Sequence, residues 1–482
     1  MSAAPDVVIV GSGPNGLAAA VTMARAGLSV TVYERASEAG GGARTEELTI
    51  PGYLHDVCSA VHPMALASPF FERFELAKRV EFLTPDLSYA HLAPTFVGLS
   101  YRDLDRTADG LGADGRAWKS VMGPLTRQIS GLVDLSSGAP LRFPSSLSAA
   151  VRLVASVVEH GSPLGTLRFR EDIAPALLAG LGAHTVQPMP TFGAAAVGLV
   201  LGAHAHARGW PIPVGGSKSI VNALIDDLMR HGGELVLDHQ VDTLEALPPA
   251  RCVMLDVSAR GFLNMAHNRL PSGYQRRLSN FHYGPGVAKV DFALAGPVPW
   301  SNAELSDAGT IHVGGTATHV GRTEREIARG RHADDPYLLL SQPTRFDPSR
   351  APSGGHVLYA YAHVPAGSTR DQLDTVTRSV ERYAPGFRDL IIGTNSATAA
   401  DLAAHNPNYV GGDIGAGAVT MWQIAGRPRL VGSPWTTPID GVYLCSSSTS
   451  PGPGVHGLCG WNAAKVALRK TFGLREPDLR FE

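Results

Sequence analysis

The sequence predicts an α/β fold, a layer of parallel strands carrying a glycine-rich turn and interrupted by an inserted α+β domain. Three observations carry that expectation. An apolar strand near the N-terminus runs straight into a glycine-rich turn and a helix. A second apolar run, Gly441 to Cys445, returns to the same kind of strand near the C-terminus. The 482 residues exceed what one ordinary core serves, so two domains are the default.

The first element is "DVVIV" (Asp6 to Val10), all apolar and β-branched, the pattern of a strand buried on both faces. "GSGPNG" follows, with Gly11, Gly13 and Gly16 in G-x-G-x-x-G spacing. A helix, "LAAAVTMARAG", then stops at Gly27, and "SVTVYE" forms a second strand ending at Glu34. Gly11 makes the tight turn, Gly13 admits a pyrophosphate to the backbone, and Gly16 lets helix and strand close up. The helix N-terminus offers N–H groups and a positive dipole end to phosphate. Glu34, 23 residues after Gly11, stands where a ribose-binding acid is expected. Strand, turn, helix, strand and acid in register make this a Rossmann-like dinucleotide site.

After five intervening residues come Gly40 and Gly41, then Arg44 and Thr45. A second glycine pair followed by an arginine brings backbone and a fixed charge to the same diphosphate. A longer dinucleotide, FAD, uses such a second clamp, and FAD is the expected cofactor. "GGSKSIVNALIDDLMRHGGELVLDHQV" reads as turn, amphipathic helix and a strand ending near Val241.

Composition narrows the function. Hydrophobic content of 44% with 17% charged residues describes a folded chain. Basic and acidic residues nearly balance, 41 against 43, with no basic cluster, which disfavours nucleic acid. Cys58, Cys252, Cys445 and Cys459 are scattered, which argues against a disulfide framework, a metal site or a redox dithiol and fits a reducing cytoplasm. "MSAAPDVVIVGSG" lacks a signal-peptide pattern. The longest apolar stretch, Ala194 to Ala207, is too short to span a bilayer. The segment Ile173 to Ala207 reads as buried helices, with a membrane-facing entry surface as the alternative. A cytoplasmic protein with at most peripheral membrane contact is expected.

The stretches "VVIVGSGPNGLAAA", "YERASEAGGGARTEELTIPGYLHDVCSAVHP" and "PGPGVHGLCGWNAA" resemble the phytoene-desaturase-like flavoproteins of the flavin amine-oxidase superfamily. The likeness is strongest to the branch typified by pyridine nucleotide-disulphide oxidoreductase domain-containing protein 2. It extends through "AGLGAHTVQPM", "YGPGVAKVDFALAGPVPW" and "NPNYVGGDIGAG" and so covers nearly the whole chain. The resemblance implies a discontinuous FAD-binding domain (residues 1–75, 210–260 and 405–482) around a substrate domain (76–209 and 261–404). It implies that Gly11, Gly13, Pro14, Asn15, Gly16, Glu34, Arg35, Gly40, Gly41, Arg44, Thr45, Val241, Ser448, Gly454 and Val455 hold FAD. The chain departs from the family pattern at Gly42 and Ala43 before Arg44, at Ser446 and Ser447, at Pro453, and in a nearly absent hairpin after Val241.

The implied activity is dehydrogenation of a CH–CH bond in a small, largely apolar substrate, with oxygen or a quinone as electron acceptor. Double-bond isomerisation, amine oxidation, or a weakly catalytic flavoprotein that binds a partner are the alternatives. His456, His184 and His62 lie in family-like motifs and are the catalytic candidates, His456 first. The competing role for His456 is to cap the last helix. Trp210, Tyr409, Trp422 and Trp461 are expected to line an apolar channel, and Asp413 to hold a turn. Gly452 and Gly454 are expected to bring "PGPGVHG" against the flavin, with the last helix aiming its N-terminus there. Substrate and oligomeric state are not legible in the sequence.

Overall fold

The computed structural model describes residues 4–481. Strand β1 (Val7–Val10) is buried along its whole length, as an apolar run covered on both faces should be. It leads into helix α1 (Pro14–Arg25), with Pro14 in the first turn, where a missing N–H costs nothing. Gly11 has φ 97°, and a methyl on Gly16 would overlap the Gly11 carbonyl oxygen. Only glycine satisfies both positions. Strand β2 (Val30–Tyr33) pairs parallel to β1, with Val7 opposite Val30.

Three distant segments complete this sheet. The strand Glu234–Val236 pairs with β2, Cys252–Leu255 pairs with β1 on its other side, and Val442–Leu444 lies beyond that. All four pairings are parallel. The strand expected to reach Val241 stops at Val236, and Asp238 turns the chain at φ 53°. The N–H groups of Asp238 and His239 still bond the carbonyls of Ala36 and Glu34, so the chain keeps to the sheet edge. Helices Lys218–Arg230 and Leu458–Ala467 pack on α1.

A second sheet has seven strands, in the spatial order Ile391–Ala397, Gly286–Leu294, His356–Val364, Leu338–Ser341, Ala308–Val313, Leu87–Ala93 and Phe96–Tyr101. Every neighbouring pair is antiparallel except Ala308–Val313 with Leu87–Ala93. One face carries an aliphatic core that includes Phe292, Leu340, Leu358, Val380 and Phe387. Helix Ile173–Ala183 packs on the last two strands, and helix Phe192–Ala207 packs on it. Most of the Ala194–Ala207 side chains are buried, so this stretch is interior, the first of the two expected readings.

Asp56 joins the two layers. Its carboxylate accepts from Thr45 Oγ1 and Ser217 N, each at 2.8 Å, and from Arg350 Nη2 at 2.8 Å. Both charged groups are buried. Burial acts to raise the Asp56 pKa, but Arg350 and these donors hold it below the ordinary carboxylate value.

Seven buried histidines, His55, His62, His91, His184, His204, His206 and His456, are each pushed down from 6.5 to about 3 or 4, first by burial. The folded state therefore refuses protons that the unfolded chain accepts below its ordinary histidine pKa. Their contribution to stability is complete above 6.5 and is lost as pH falls toward 4. Urea unfolding across that range is expected to show a falling midpoint and uptake of more than one proton per chain unfolded. A flat profile would contradict the buried neutral assignment.

Candidate dinucleotide site

Two glycine turns meet at the N-terminus of α1. A methyl on Gly41 would lie 3.3 Å from the Gly13 Cα, and Gly40 N donates to the Ser12 carbonyl at 3.1 Å. The result is a cradle walled largely by backbone, which the carboxylates of Glu34 and Asp256 reach. Glu34 closes one side, where its Oε2 accepts from Ser12 N (3.0 Å) and Ser12 Oγ (2.7 Å), and its Oε1 accepts from Ala36 N. Arg35 is exposed, and Val241 is buried beside Val8 and Val10. Arg44 is buried against His405 and Glu46, while Thr45 Oγ1 accepts from Lys218 N and donates to Asp56.

Asp256, at the end of the strand beside β1, was not singled out by sequence. Its Oδ2 accepts the Gly16 N–H at 2.9 Å, and a methyl on Gly13 would sit 2.7 Å from that oxygen. Burial pushes its pKa up to about 7, against the pull of the Gly16 N–H and with help from Glu34. The acid therefore carries little of its charge below neutral pH and adds little repulsion toward an anion in the cradle.

The C-terminal loop closes the other end. Asn15 Oδ1 accepts from Cys459 N at 3.2 Å, and Asn15 Nδ2 reaches Ser447 Oγ at 3.4 Å. His456 Nδ1 accepts from Leu458 N at 3.0 Å, so this buried histidine caps the last helix. Two N–H groups expected to face a flavin are thus satisfied within the protein. Ser448 Oγ donates to the Ala416 carbonyl (2.8 Å) and accepts from Ala259 N (3.2 Å). Gly454 has φ 142°, and a methyl there would press to 2.8 Å from the His456 ring. Val455 is half-buried and packs against the core of the parallel sheet.

The three histidine candidates are held apart by different partners. His62 Nε2 bonds Ser217 Oγ at 2.8 Å, and His184 Nε2 meets His312 Nε2 at 3.0 Å. No hydrogen bond or ring contact joins His62, His184 and His456 among the described residues. Trp210 stacks on Tyr89 at 5.2 Å and donates its indole N–H to Leu201, a packing role. Trp422 is 89% exposed on a five-residue surface helix, so it lines no interior channel. Trp461 packs against Phe70 in the core and donates its indole N–H to Glu476. Asp413 accepts from Gly284, Gly415 and Gly417 N–H groups, the expected turn role.

Tyr409 is buried among Tyr359, Tyr361 and Cys58, an aromatic wall between the cradle and the antiparallel sheet. Its hydroxyl stands where a methyl on Gly42 would fall. Burial raises the Cys58 pKa, which keeps it a thiol. Lys289 and Asp291 form a buried ion pair, and Lys289 Nζ lies 4.6 Å from the Tyr359 ring centroid. Both charges sit in an otherwise apolar nine-residue strand, opposite Tyr361 and Tyr359. That interruption was the available sequence signal.

Arg427 is also fully buried. Nη2 donates to the Gly417 (2.6 Å) and Gly415 (3.3 Å) carbonyls, while Nε and Nη1 lack partners among the described residues. A methyl on Gly452 would lie 2.8 Å from Nη1. A buried guanidinium with two open nitrogens beside the C-terminal loop and a backbone-walled cradle on α1 fit an extended anionic dinucleotide. No cluster of His, Cys, Asp or Glu among the described residues forms a metal site.

Residues 9–74 match the NAD(P)-binding Rossmann-like domain. Along 96% of its length the chain is 25% identical to rat pyridine nucleotide-disulfide oxidoreductase domain-containing protein 2, covering 93% of that protein. It is 25% identical to the phytoene dehydrogenase of Streptomyces griseus over 80% of this chain and 77% of that one. Two solved structures share the fold. Putrescine oxidase bound to putrescine has a TM-score of 0.59 at 18% identity, covering 96% of this chain and 98% of that one. Cyclohexylamine oxidase from Brevibacterium oxydans has a TM-score of 0.59 at 15% identity, covering 97% and 99%.

Two variants test this geometry. Gly454→Val should unseat His456 and cost roughly 2–3 kcal/mol from lost capping and backbone strain. Retained nucleotide should fall with it, while the N-terminal βαβ unit stays protected in hydrogen exchange. Asp256→Asn keeps an acceptor for Gly16. The raised carboxyl loses its stabilising contribution as pH climbs from 3.8 through 7, so the variant should gain on the parent across that interval and hold a constant advantage above it. Paired urea titrations measure the difference.

Proposed function

From a chain with a Rossmann-like N-terminal domain set in the fold of putrescine and cyclohexylamine oxidases, we propose an FAD-dependent oxidoreductase that dehydrogenates a CH–CH bond in a largely apolar substrate. Residues 1–75, 210–260 and 405–482 are assigned to the cofactor domain, and 76–209 and 261–404 to the substrate domain. The observation that carries the reading is the double-glycine cradle tied through Asn15 to the last helix, next to the tyrosine wall. A nicotinamide site does not need that second, C-terminal closure, and an FAD site does. Similarity to phytoene dehydrogenase over 80% of the chain supports the same choice.

FAD, when bound, supplies two-electron acceptance from a C–H bond. The chain supplies the rest. Gly13, Gly41 and the α1 N-terminus would hold the diphosphate, with Glu34 as the ribose-binding acid. The open Arg427 nitrogens would offer donors to negative charge on the cofactor. Tyr359, Tyr361 and Tyr409 exclude water and present an apolar face to substrate. The buried histidines, pushed down to about 3 or 4, are weak proton acceptors at pH 7, so the proton lost from the substrate passes to solvent.

Amine oxidation is the competing reading, because two neighbours in fold act on amines by name. Here the buried acids Asp291 and Asp56 are already paired with Lys289 and Arg350. An ammonium group entering beside Tyr359 would meet the Lys289 cation, so an apolar substrate fits better.

Purified protein should be yellow with a flavin spectrum, and anaerobic mixing with polyenes, enones or cyclic ketones should bleach it. The product should be two hydrogens lighter. An unchanged mass assigns isomerisation, and hydrogen peroxide from amines assigns an amine oxidase. A colourless protein that takes up no FAD overturns the cofactor.

A further inference from the structure

The tyrosine wall continues into a buried histidine–carboxylate pair. On strand His356–Val364, Leu358, Ala360 and Ala362 enter the aliphatic core, while Tyr359, Tyr361 and His363 alternate onto the opposite face. The His363 ring stacks on Tyr361 at 5.7 Å and lies 4.8 Å from the Tyr337 ring. From the helix Ala317–Ala328, Glu324 Oε1 stands 2.7 Å from His363 Nδ1. Both side chains are fully buried. His363 Nε2 and Glu324 Oε2 have no hydrogen-bond partner among the described residues. Open polar atoms in an interior are rare and call for a chemical role.

The pairing sets the tautomer. An ionised carboxylate only accepts, so the neutral ring carries its proton on Nδ1 and leaves the Nε2 lone pair bare. Uptake of a proton at Nε2 turns a buried anion beside a neutral ring into a pair with no net charge, which a low-dielectric interior favours. Among the described residues no other buried imidazole hydrogen-bonds a carboxylate. His62 meets a hydroxyl, His184 another imidazole and His91 a carbonyl. His55 lies 3.6 Å from Asp291, which Lys289 already holds. The other titratable groups around His363 are Tyr361 on its own strand, Tyr337, His312 on strand Ala308–Val313, and His184 at the end of helix Ile173–Ala183.

We propose that His363 is the first acceptor of the proton released by dehydrogenation, and that Glu324 is the positioning residue that fixes its tautomer. The inference rests on the dehydrogenase reading above. In this step one C–H bond gives up a hydride, and both electrons of that bond pass to the flavin as oxidant. The neighbouring C–H bond breaks, its proton goes to His363 Nε2, and its electron pair becomes the new C=C bond. The imidazolium then releases the proton to solvent, which bares Nε2 for the next turnover.

The test uses the flavin-loaded full chain, labelled at the histidine ring nitrogens. In magnetic resonance, His363, assigned by its loss in His363→Asn, should show a proton on Nδ1 and a bare Nε2. Glu324→Gln should remove that preference. His363→Asn keeps an amide N–H for Glu324, and Glu324→Gln keeps the shape of the acid, so flavin content and circular dichroism should match the parent. In rapid mixing with the polyene, enone or cyclic ketone that bleaches the flavin, His363→Asn should slow reduction by about a hundredfold or more, with little change in the half-saturating concentration. The parent's loss of rate on the acid side should vanish in His363→Asn and move to lower pH in Glu324→Gln. A bare Nδ1 in the parent overturns the proposal, as does reduction of His363→Asn at the parental rate. An unmoved acid limb in Glu324→Gln overturns the positioning role. A parent flavin that none of these compounds bleaches overturns the dehydrogenase reading and the proposal together, whereas the variant results overturn the proposal alone.

Discussion

The close approach of Asn15 to the last helix is the constraint on which the site depends. A methyl at Gly460 would overlap the Asn15 carbonyl oxygen, so the two helices meet backbone to backbone. The Asn15 side chain then bonds Cys459 N and reaches Ser447. Residues from opposite ends of the chain thereby build a single surface. The glycine-rich turn supplies one half, and the loop before the last helix supplies the other. His456 and Gly454 hold that loop, one as a cap and one by leaving it room.

Around this surface the protein keeps charge paired or suppressed. Lys289 with Asp291 and Arg350 with Asp56 are buried ion pairs, and the buried imidazoles are held neutral. Such pairs are weak arguments for stability, since desolvation offsets much of their attraction. Their effect is to fix where charge lies. Arg427 is the exception, with two nitrogens left without partners next to the C-terminal loop. An unpaired buried guanidinium is costly unless a ligand completes it.

The N-terminal unit was legible because its signal is local. Strand period, glycine spacing, helix stop and acid all fall within residues 6–34, and β1, α1 and β2 occupy the expected places. The returning strand at Val442–Leu444 was legible for the same reason. Asp256 and Arg427 were not, because each acquires its role from partners distant in sequence, whereas Lys289 and Asp291 left a local signal in the charged break of their apolar strand. Asp256 meets Gly16 only after the sheet forms, and Arg427 meets Gly452 only after the C-terminal loop folds back. Trp422 failed for another reason, since aromatic character alone does not say which way a short surface helix turns. The exposed apolar residues of the Leu147–His160 helix were not legible because helical spacing alone does not say which face turns outward. Ala194–Ala207 is apolar around its whole circumference and is buried, while the more amphipathic Leu147–His160 helix presents its apolar stripe outward.

The Asp56–Arg350 pair has a mechanical consequence. Asp56 is anchored to Thr45 and Ser217 beside the parallel sheet, and Arg350 belongs to the chain that runs into strand His356–Val364 of the antiparallel sheet. Swinging one layer away from the other would pull a buried cation from a buried anion, and breaking such a pair costs about 3–5 kcal/mol. Wide hinge opening is therefore disfavoured, and access to the interior falls to smaller shear and rotamer motions of the helical layer. One buried ion pair thus acts as a clasp between the two sheets.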